Sequence, residues 1–265
     1  MNFGKIQLII ALVVAAFSLF SYFGSSSVNP ITGEKQHIGG MSQKEEVAMG
    51  LQSAPQMASQ MGGLAQDPRA RDLVVRVGAK VVAGSVAAKS GYPFKFHTLA
   101  DPKTVNAFAL PGGQVFITMA LLSRLETEGQ LAAVLGHEVG HVIGRHSAEH
   151  IAKDNLTQGL TGAFAVGAGS MGAAQVAQMV GQMQMMKYGR DDELEADALG
   201  LRLASEAGYD PRAMIRVMEI LERASGGSRA PEYQSSHPSP PRRIEEIKAK
   251  LQKAFPNGFP PNLTP

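Results

Sequence analysis

His137-Glu138-Val139-Gly140-His141 is the stretch of this chain whose residue types and spacing could do chemistry. On a helix of 3.6 residues per turn, histidines four apart lie about 40° from each other around the axis, on one face. Both imidazoles can then reach one Zn²⁺ at ~2.0–2.1 Å. Glu138 stands beside that metal, placed to take a proton from a water the metal has activated. The same five residues also arise by chance on an ordinary amphipathic helix with two surface histidines, so the surroundings have to decide.

Upstream, Thr127-Glu128-Gly129-Gln130 reads as a capping box, and Leu131, Val134 and Leu135 give the following helix an apolar face. The motif therefore falls on a helix, as its geometry requires. Zinc needs a third protein ligand, and two are on offer. One is a metzincin-type histidine ten residues after the first. Gly144 is in place for it, but position 147 is Ser147, and His146 comes one residue early. The other is Glu193 in Glu193-Leu194-Glu195-Ala196-Asp197, 56 residues after His137. Asp197, one turn after Glu193, can accept the second ring N–H of a zinc histidine and fix its tautomer. Glu195 points about 200° away from Glu193 and reads as structural. The glutamate set is favoured.

These motifs, with His237-Pro238, Arg243-Ile244 and Asn106-Ala107-Phe108-Ala109-Leu110-Pro111-Gly112-Gly113, resemble the HtpX- and BepA-like zinc metallopeptidases, peptidase family M48. The CAAX prenyl protease and the Oma-type mitochondrial protease belong to that family. The resemblance runs from about Met41 to Phe255. It implies one Zn²⁺ per subunit held by His137, His141 and Glu193, with Glu138 as general base. It also implies that His237 and Arg243 face the cleft, where they would stabilise the oxyanion; whether His237 also occupies the open metal position at rest stays open at this point. The Asn106-Ala107-Phe108 strand would be the sheet edge over the zinc, to which a substrate peptide adds by main-chain hydrogen bonds.

The elements that must hold these groups can be read from the rest of the chain. Of 265 residues, about 220 follow the N-terminal segment, enough for one domain with a substantial core. A net charge of +2 gives no footing for a nucleic-acid partner. The absence of cysteine excludes disulfides, thiolate ligands, a cysteine nucleophile and a lipoprotein anchor. Ile6 to Phe23 is an apolar run behind the single charge of Lys5. It reads as an inner-membrane anchor, with a cleaved signal peptide as the alternative; either sends the domain to the extracytoplasmic side. Residues 1–27 form this segment, 28–41 a turn-rich linker, 42–255 the metallopeptidase domain, and 256–265 a poorly ordered tail.

Within the domain, Ser42-x-x-Glu45 and Asp67-Pro68 each open a helix. Phe94 to Leu99 alternates like a strand, and Thr104–Leu110 with Gln114–Thr118 form a hairpin around Pro111-Gly112-Gly113. Helices start near Asp192 and at Asp210-Pro211, and a last one runs from Ile244 to Ala254. Residues 155–186 carry no Asp, Glu, Lys or Arg. One bilayer crossing there would separate Glu193 from His137, and two need roughly 40 residues. The segment therefore reads as small-residue helices beside the cleft or touching the membrane surface, with a lid as a further role.

The expected fold is α+β: a mostly helical, gluzincin-like domain with a small sheet. The expected function is a zinc-dependent endopeptidase acting on misfolded or membrane-associated polypeptides of the envelope. The rival reading is a chaperone-like or binding module that keeps zinc for structure.

Overall fold

The computed structural model describes residues 3–168, 189–224, 237 and 243–265. Most of the uncharged segment 155–186, and the Ser225 to Pro241 loop apart from His237, lie outside the described residues, as does the lid reading placed on the former. The described elements are mostly helical with small sheets, an α+β fold as expected. The chain divides into two compact units, one of Met1–Ser42 with Arg145–Lys187, the other of Gln43–Gly144 with Tyr188–Pro265.

In the first unit the apolar N-terminal run folds as a single helix, α1 (Phe3–Gly24). Among the described residues it is the one helix long and apolar enough to cross a membrane. Part of the stretch expected to be a bare linker is built into an antiparallel hairpin, β1 (Ser26–Val28) with β2 (Lys35–His37). Asn29 makes the turn: its Oδ1 accepts the N–H groups of Ile31 (2.9 Å) and Thr32 (3.3 Å), and its own N–H donates to the Glu34 carbonyl at 2.8 Å. The Asx turn starts the loop, and Gly33, at a φ of 79°, completes it by donating its N–H to the Asn29 carbonyl at 2.9 Å. Helix α6 (His146–Ala168) completes the unit.

The second unit carries α2 (Gln43–Gln60) and α3 (Pro68–Ala83), the latter capped by Asp67, whose carboxylate accepts the Arg69 N–H at 2.9 Å. A three-stranded sheet follows, of β3 (Lys95–Leu99), β4 (Ala107–Leu110) and β5 (Gln114–Thr118) in the order β3-β5-β4. The β4–β5 pair is the expected antiparallel hairpin, and β3 pairs with β5 in parallel. A short α4 (Met119–Leu122) leads to α5 (Glu128–Ile143), which carries the His-Glu-x-x-His stretch. Then come α7 (Arg190–Glu206), α8 (Ala213–Ala224) and α9 (Arg243–Ala254).

The core lies between α5, α3, the sheet, α7 and α8. Val74, Val77 and Val81 of α3, Leu135 of α5, Val115 and Ile117 of β5, and Val217 of α8 are all buried. The tail, expected to be poorly ordered, instead docks. Thr264 bridges Tyr209 in parallel, with Asp210 N–H donating to its carbonyl at 2.8 Å, and the Pro265 carbonyl accepts the Gly129 N–H at 2.8 Å. That last bond satisfies one of the open N–H groups in the first turn of α5, so backbone pairing, which sequence composition does not report, holds the tail.

Candidate metal centre

Helix α5 begins as its cap predicts: Thr127 Oγ1 accepts the Gln130 N–H at 3.2 Å. Gln130 reaches back one residue further than a reciprocal capping box requires, accepting from Glu126 N–H at 2.8 Å. From there 3.6-residue periodicity puts His137 and His141 on one face, both almost wholly buried. Helix α7 packs against that face at close range. A Cβ on Gly200 would lie 3.0 Å from the His137 backbone nitrogen, and one on Gly140 would lie 3.0 Å from the Ala196 carbonyl oxygen. Glycine at both contacts brings the two backbones near enough for the short Glu193 side chain to reach the histidines.

The resulting cluster is His137, His141, Glu193 and His237, whose ligand-type atoms all lie within 4.8 Å of one another, all four residues buried. His137 Nε2 is 3.0 Å from His141 Nε2 and 3.6 Å from Glu193 Oε2. His141 Nε2 is 3.4 Å from Glu193 Oε1. Atoms bound tetrahedrally at ~2.0–2.1 Å stand about 3.3–3.4 Å from each other, so these separations fit three ligands of one ion. The nitrogen and oxygen donor set suits a divalent transition metal. His237 Nδ1 stands 3.4 Å from His137 Nε2 and 2.8 Å from Glu193 Oε1. His146, the histidine of the alternative ligand set, is not in the cluster.

Glu138 is fully buried, and neither of its carboxylate oxygens has a hydrogen-bond partner among the described residues; His237 Nε2 is 3.7 Å from Oε1. An unbonded buried carboxylate is expensive, and is kept where something absent from the polypeptide is to be bonded. Burial pushes the Glu138 carboxyl above its usual range, with His237 and His137 pulling the other way.

Asp197, expected to accept a ring N–H of a zinc histidine, has its Oδ1 3.0 Å from His137 Nδ1, a contact that suits a proton on Nδ1 and an Nε2 open to a metal. Arg243 holds Asp197 from behind: Nε donates to Oδ2 at 2.6 Å and Nη2 to Oδ1 at 2.7 Å, while Nη1 is 3.3 Å from Glu193 Oε2. Burial alone would raise the Asp197 carboxyl, but Arg243 and His137 outweigh it and bring it down to about 2. Glu193 is likewise held far below the carboxylate range despite its burial, by His237, His141 and His137. The Asp197–Arg243 clasp spans 46 residues and was not legible in the sequence, which offered only a cleft-facing arginine. No local periodicity links the start of α9 to α7.

Ala107 and Phe108 begin β4, an edge strand of the three-stranded sheet, and Asn106 directly precedes it, all in the same unit as the cluster. Asn106 is buried, with its carbonyl accepting the Thr118 N–H at 3.0 Å and its side-chain oxygen without a hydrogen-bond partner. Phe108 stacks on Phe116 of β5, ring centres 4.9 Å apart. Glu195 lies outside the cluster, and His97 hydrogen-bonds Gln114 at 2.9 Å.

The sequence profile of Peptidase family M48 matches residues 69–251. The chain is 36% identical over 184 residues to the mitochondrial metalloendopeptidase OMA1 of Schizosaccharomyces pombe, covering 68% of this chain and 53% of that one. It is 30% identical over 203 residues to the beta-barrel assembly-enhancing protease of Escherichia coli K12, covering 73% of this chain and 41% of the relative. To the OMA1 protein of Saccharomyces cerevisiae it is 32% identical over 170 residues, 62% of this chain and 49% of the relative. The chain thus spans about half the length of the curated relatives it matches. The extent of the profile match and the four-residue cluster buried behind α5 agree, and this chain belongs to peptidase family M48.

Proposed function

We propose that this protein is a zinc-dependent endopeptidase of the extracytoplasmic envelope, anchored in the inner membrane by α1 and cleaving misfolded or membrane-associated polypeptides. One observation carries it: the Nε2 atoms of His137 and His141 and the Glu193 carboxylate stand 3.0 to 3.6 Å apart, as ligands of one ion would, with the unbonded Glu138 carboxylate beside them. Zinc, when bound, polarises a peptide carbonyl and makes a water acidic enough to attack it near neutral pH. Glu138 accepts a proton from the attacking water and passes it to the departing amine. Its burial, which favours the protonated form, makes the first transfer easier.

The ring N–H of His237 that does not face Glu193 is the donor for the oxyanion. Arg243 has each of its three nitrogens turned toward a carboxylate. The oxyanion role expected of it is therefore replaced by a positioning one, acting through Asp197 on the His137 tautomer. At rest, His237 Nδ1 is close enough to the other ligand atoms to serve as a fourth donor, which substrate would displace. The substrate strand pairs with the free edge of β4 at Asn106-Ala107-Phe108, where recognition through the main chain tolerates many sequences. The names of the relatives, a metalloendopeptidase and a protease linked to β-barrel assembly, support peptide-bond hydrolysis, and the apolar helix α1 supports a membrane setting.

The decisive experiment measures bound zinc and casein cleavage on the purified chain, with and without a chelator. One equivalent of zinc and chelator-sensitive cleavage are expected. Stoichiometric zinc with no cleavage of any polypeptide would return the chain to the binding-module reading.

A further inference from the structure

Helix α1 does not stand alone in its unit, for α6 runs along it in the opposite direction. His37 shows the direction. Its ring stacks on Tyr22 at the end of α1, centres 4.9 Å apart and 14° from parallel. Its backbone N–H donates at 2.8 Å to Glu149 in the first turn of α6. The end of α1 therefore lies beside the first turns of α6. Deeper along the pair, a Cβ on Gly159 would lie 2.0 Å from Ser18 Oγ and 2.8 Å from Ser18 Cβ. The helices touch there with no space for a side chain, the small-residue contact that lets helices associate in lipid. The Ser18 hydroxyl donates to the Val14 carbonyl at 2.8 Å within its own helix, so it needs no water. Ala163, one turn beyond Gly159, is buried.

The 21 residues Gly4–Gly24 hold an 18-residue window with a mean hydropathy of 2.3, and at 1.5 Å per residue the helix matches the ~30 Å thickness of a bilayer core. A helix that starts beside the end of such a span and runs back along it enters the same layer. The composition of α6 changes where this requires. Glu149, Lys153 and Asp154 occupy its first turns, and from Asn155 to Ala168 it carries no charge. Those fourteen residues reach about 20 Å inward. Gln158 is exposed one turn past Asp154, near the boundary, and between it and Phe164 the exposed positions are Leu160, Gly162 and Phe164 itself, which is 65% exposed. In water that outward face would be an uncovered apolar surface.

We propose that α6 is a membrane-inserted helix, lying in the hydrocarbon layer against α1 from Leu156 onward with Leu160 and Phe164 on lipid. The membrane element is then a two-helix hairpin, and the partner of α6 is the bilayer itself. Glu193 joins His137 and His141 in one cluster, so α6 enters the layer without completing a crossing. The pairing also argues that α1 is retained, since cleavage after it would strip Gly159 of the helix it packs on. The proposal rests on α1 being the membrane anchor.

The absence of cysteine in the natural chain permits a clean test by single-cysteine labelling. The full chain in native membranes would carry Phe20→Cys on α1, Lys153→Cys at the start of α6, or Leu160→Cys or Phe164→Cys further in. Each would be treated with a water-soluble maleimide before and after solubilisation in sodium dodecyl sulfate. Lys153→Cys is expected to label in membranes, and the other three only after solubilisation. Protein burial could not explain protection at position 164, which is mostly exposed in the fold. Protection of Phe20→Cys with free labelling at 160 and 164 would overturn the insertion of α6 and leave the anchor standing. Free labelling of Phe20→Cys would overturn the anchor and the insertion together.

Discussion

Asp197 and Arg243 form a two-point clasp, Nε to Oδ2 at 2.6 Å and Nη2 to Oδ1 at 2.7 Å, with both side chains buried. The same Oδ1 faces His137 Nδ1 at 3.0 Å, so one carboxylate joins the first helix of the site to the last. Arg243→Ala leaves Asp197 charged and buried, and is expected to lower stability by about 3–5 kcal/mol. Arg243→Lys keeps the charge but not the fork, and should fold while binding zinc about 10–100-fold more weakly. Thermal unfolding and competition against a chromogenic chelator measure the two effects. Equal zinc affinity in wild type and Arg243→Lys would reduce Arg243 to a packing role.

The ligand set separates Glu193 from Glu195, two residues apart on α7. Glu193→Ala should lose most of the metal, and Glu195→Ala should keep it. Metal analysis of the two purified variants is sufficient, and equal zinc in both would refute the assignment.

Glutamine has the shape of glutamate but cannot accept a proton. Glu138→Gln should keep fold and zinc while cleavage falls by about 10²–10⁴, the usual contribution of a general base. Because the β4 edge is untouched, the variant should still retain substrate, detectable by co-purification. A deletion strain fully rescued by Glu138→Gln would end the enzyme reading.

His237→Phe should leave zinc bound and lower kcat by about 10²–10³, the cost of one lost oxyanion donor. A rise in activity instead would mean that its resting contact with the cluster restrains the enzyme more than its donor role assists it. Steady-state cleavage of a fluorogenic peptide reads either outcome.

Gly200 tests the spacing of α5 and α7. Gly200→Leu would force a side chain into the 3.0 Å gap before the His137 backbone nitrogen. Overpacking of this kind costs about 1–3 kcal/mol. Zinc affinity is expected to fall along with Tm, because the separation that opens is the one Glu193 has to bridge. A loss of Tm with zinc affinity unchanged would show that the two helices position the ligands independently.

What the sequence determined by itself is what repeats over a turn or two of chain. The four-residue spacings of His137 with His141 and of Glu193 with Asp197 place each pair on one helix face whatever surrounds them. Pro111-Gly112-Gly113 between two alternating runs makes the β4–β5 hairpin for the same reason, and the apolar run behind Lys5 makes α1. Tertiary structure decided the relations between segments distant along the chain. Hydrophobic patterning says that α5 and α7 each bury a face, but only glycine meeting backbone at Gly140 and Gly200 sets how close those faces come. The parallel pairing of β3 with β5, the clasp of Asp197 by Arg243 and the docking of Thr264 and Pro265 are long-range closures. Their geometry depends on where whole elements pack, and no period in the sequence encodes it. The uncharged stretch after Asp154 is the sharpest case: composition showed that it lacks charge, and the contact of Gly159 with Ser18 shows which neighbour its described part has.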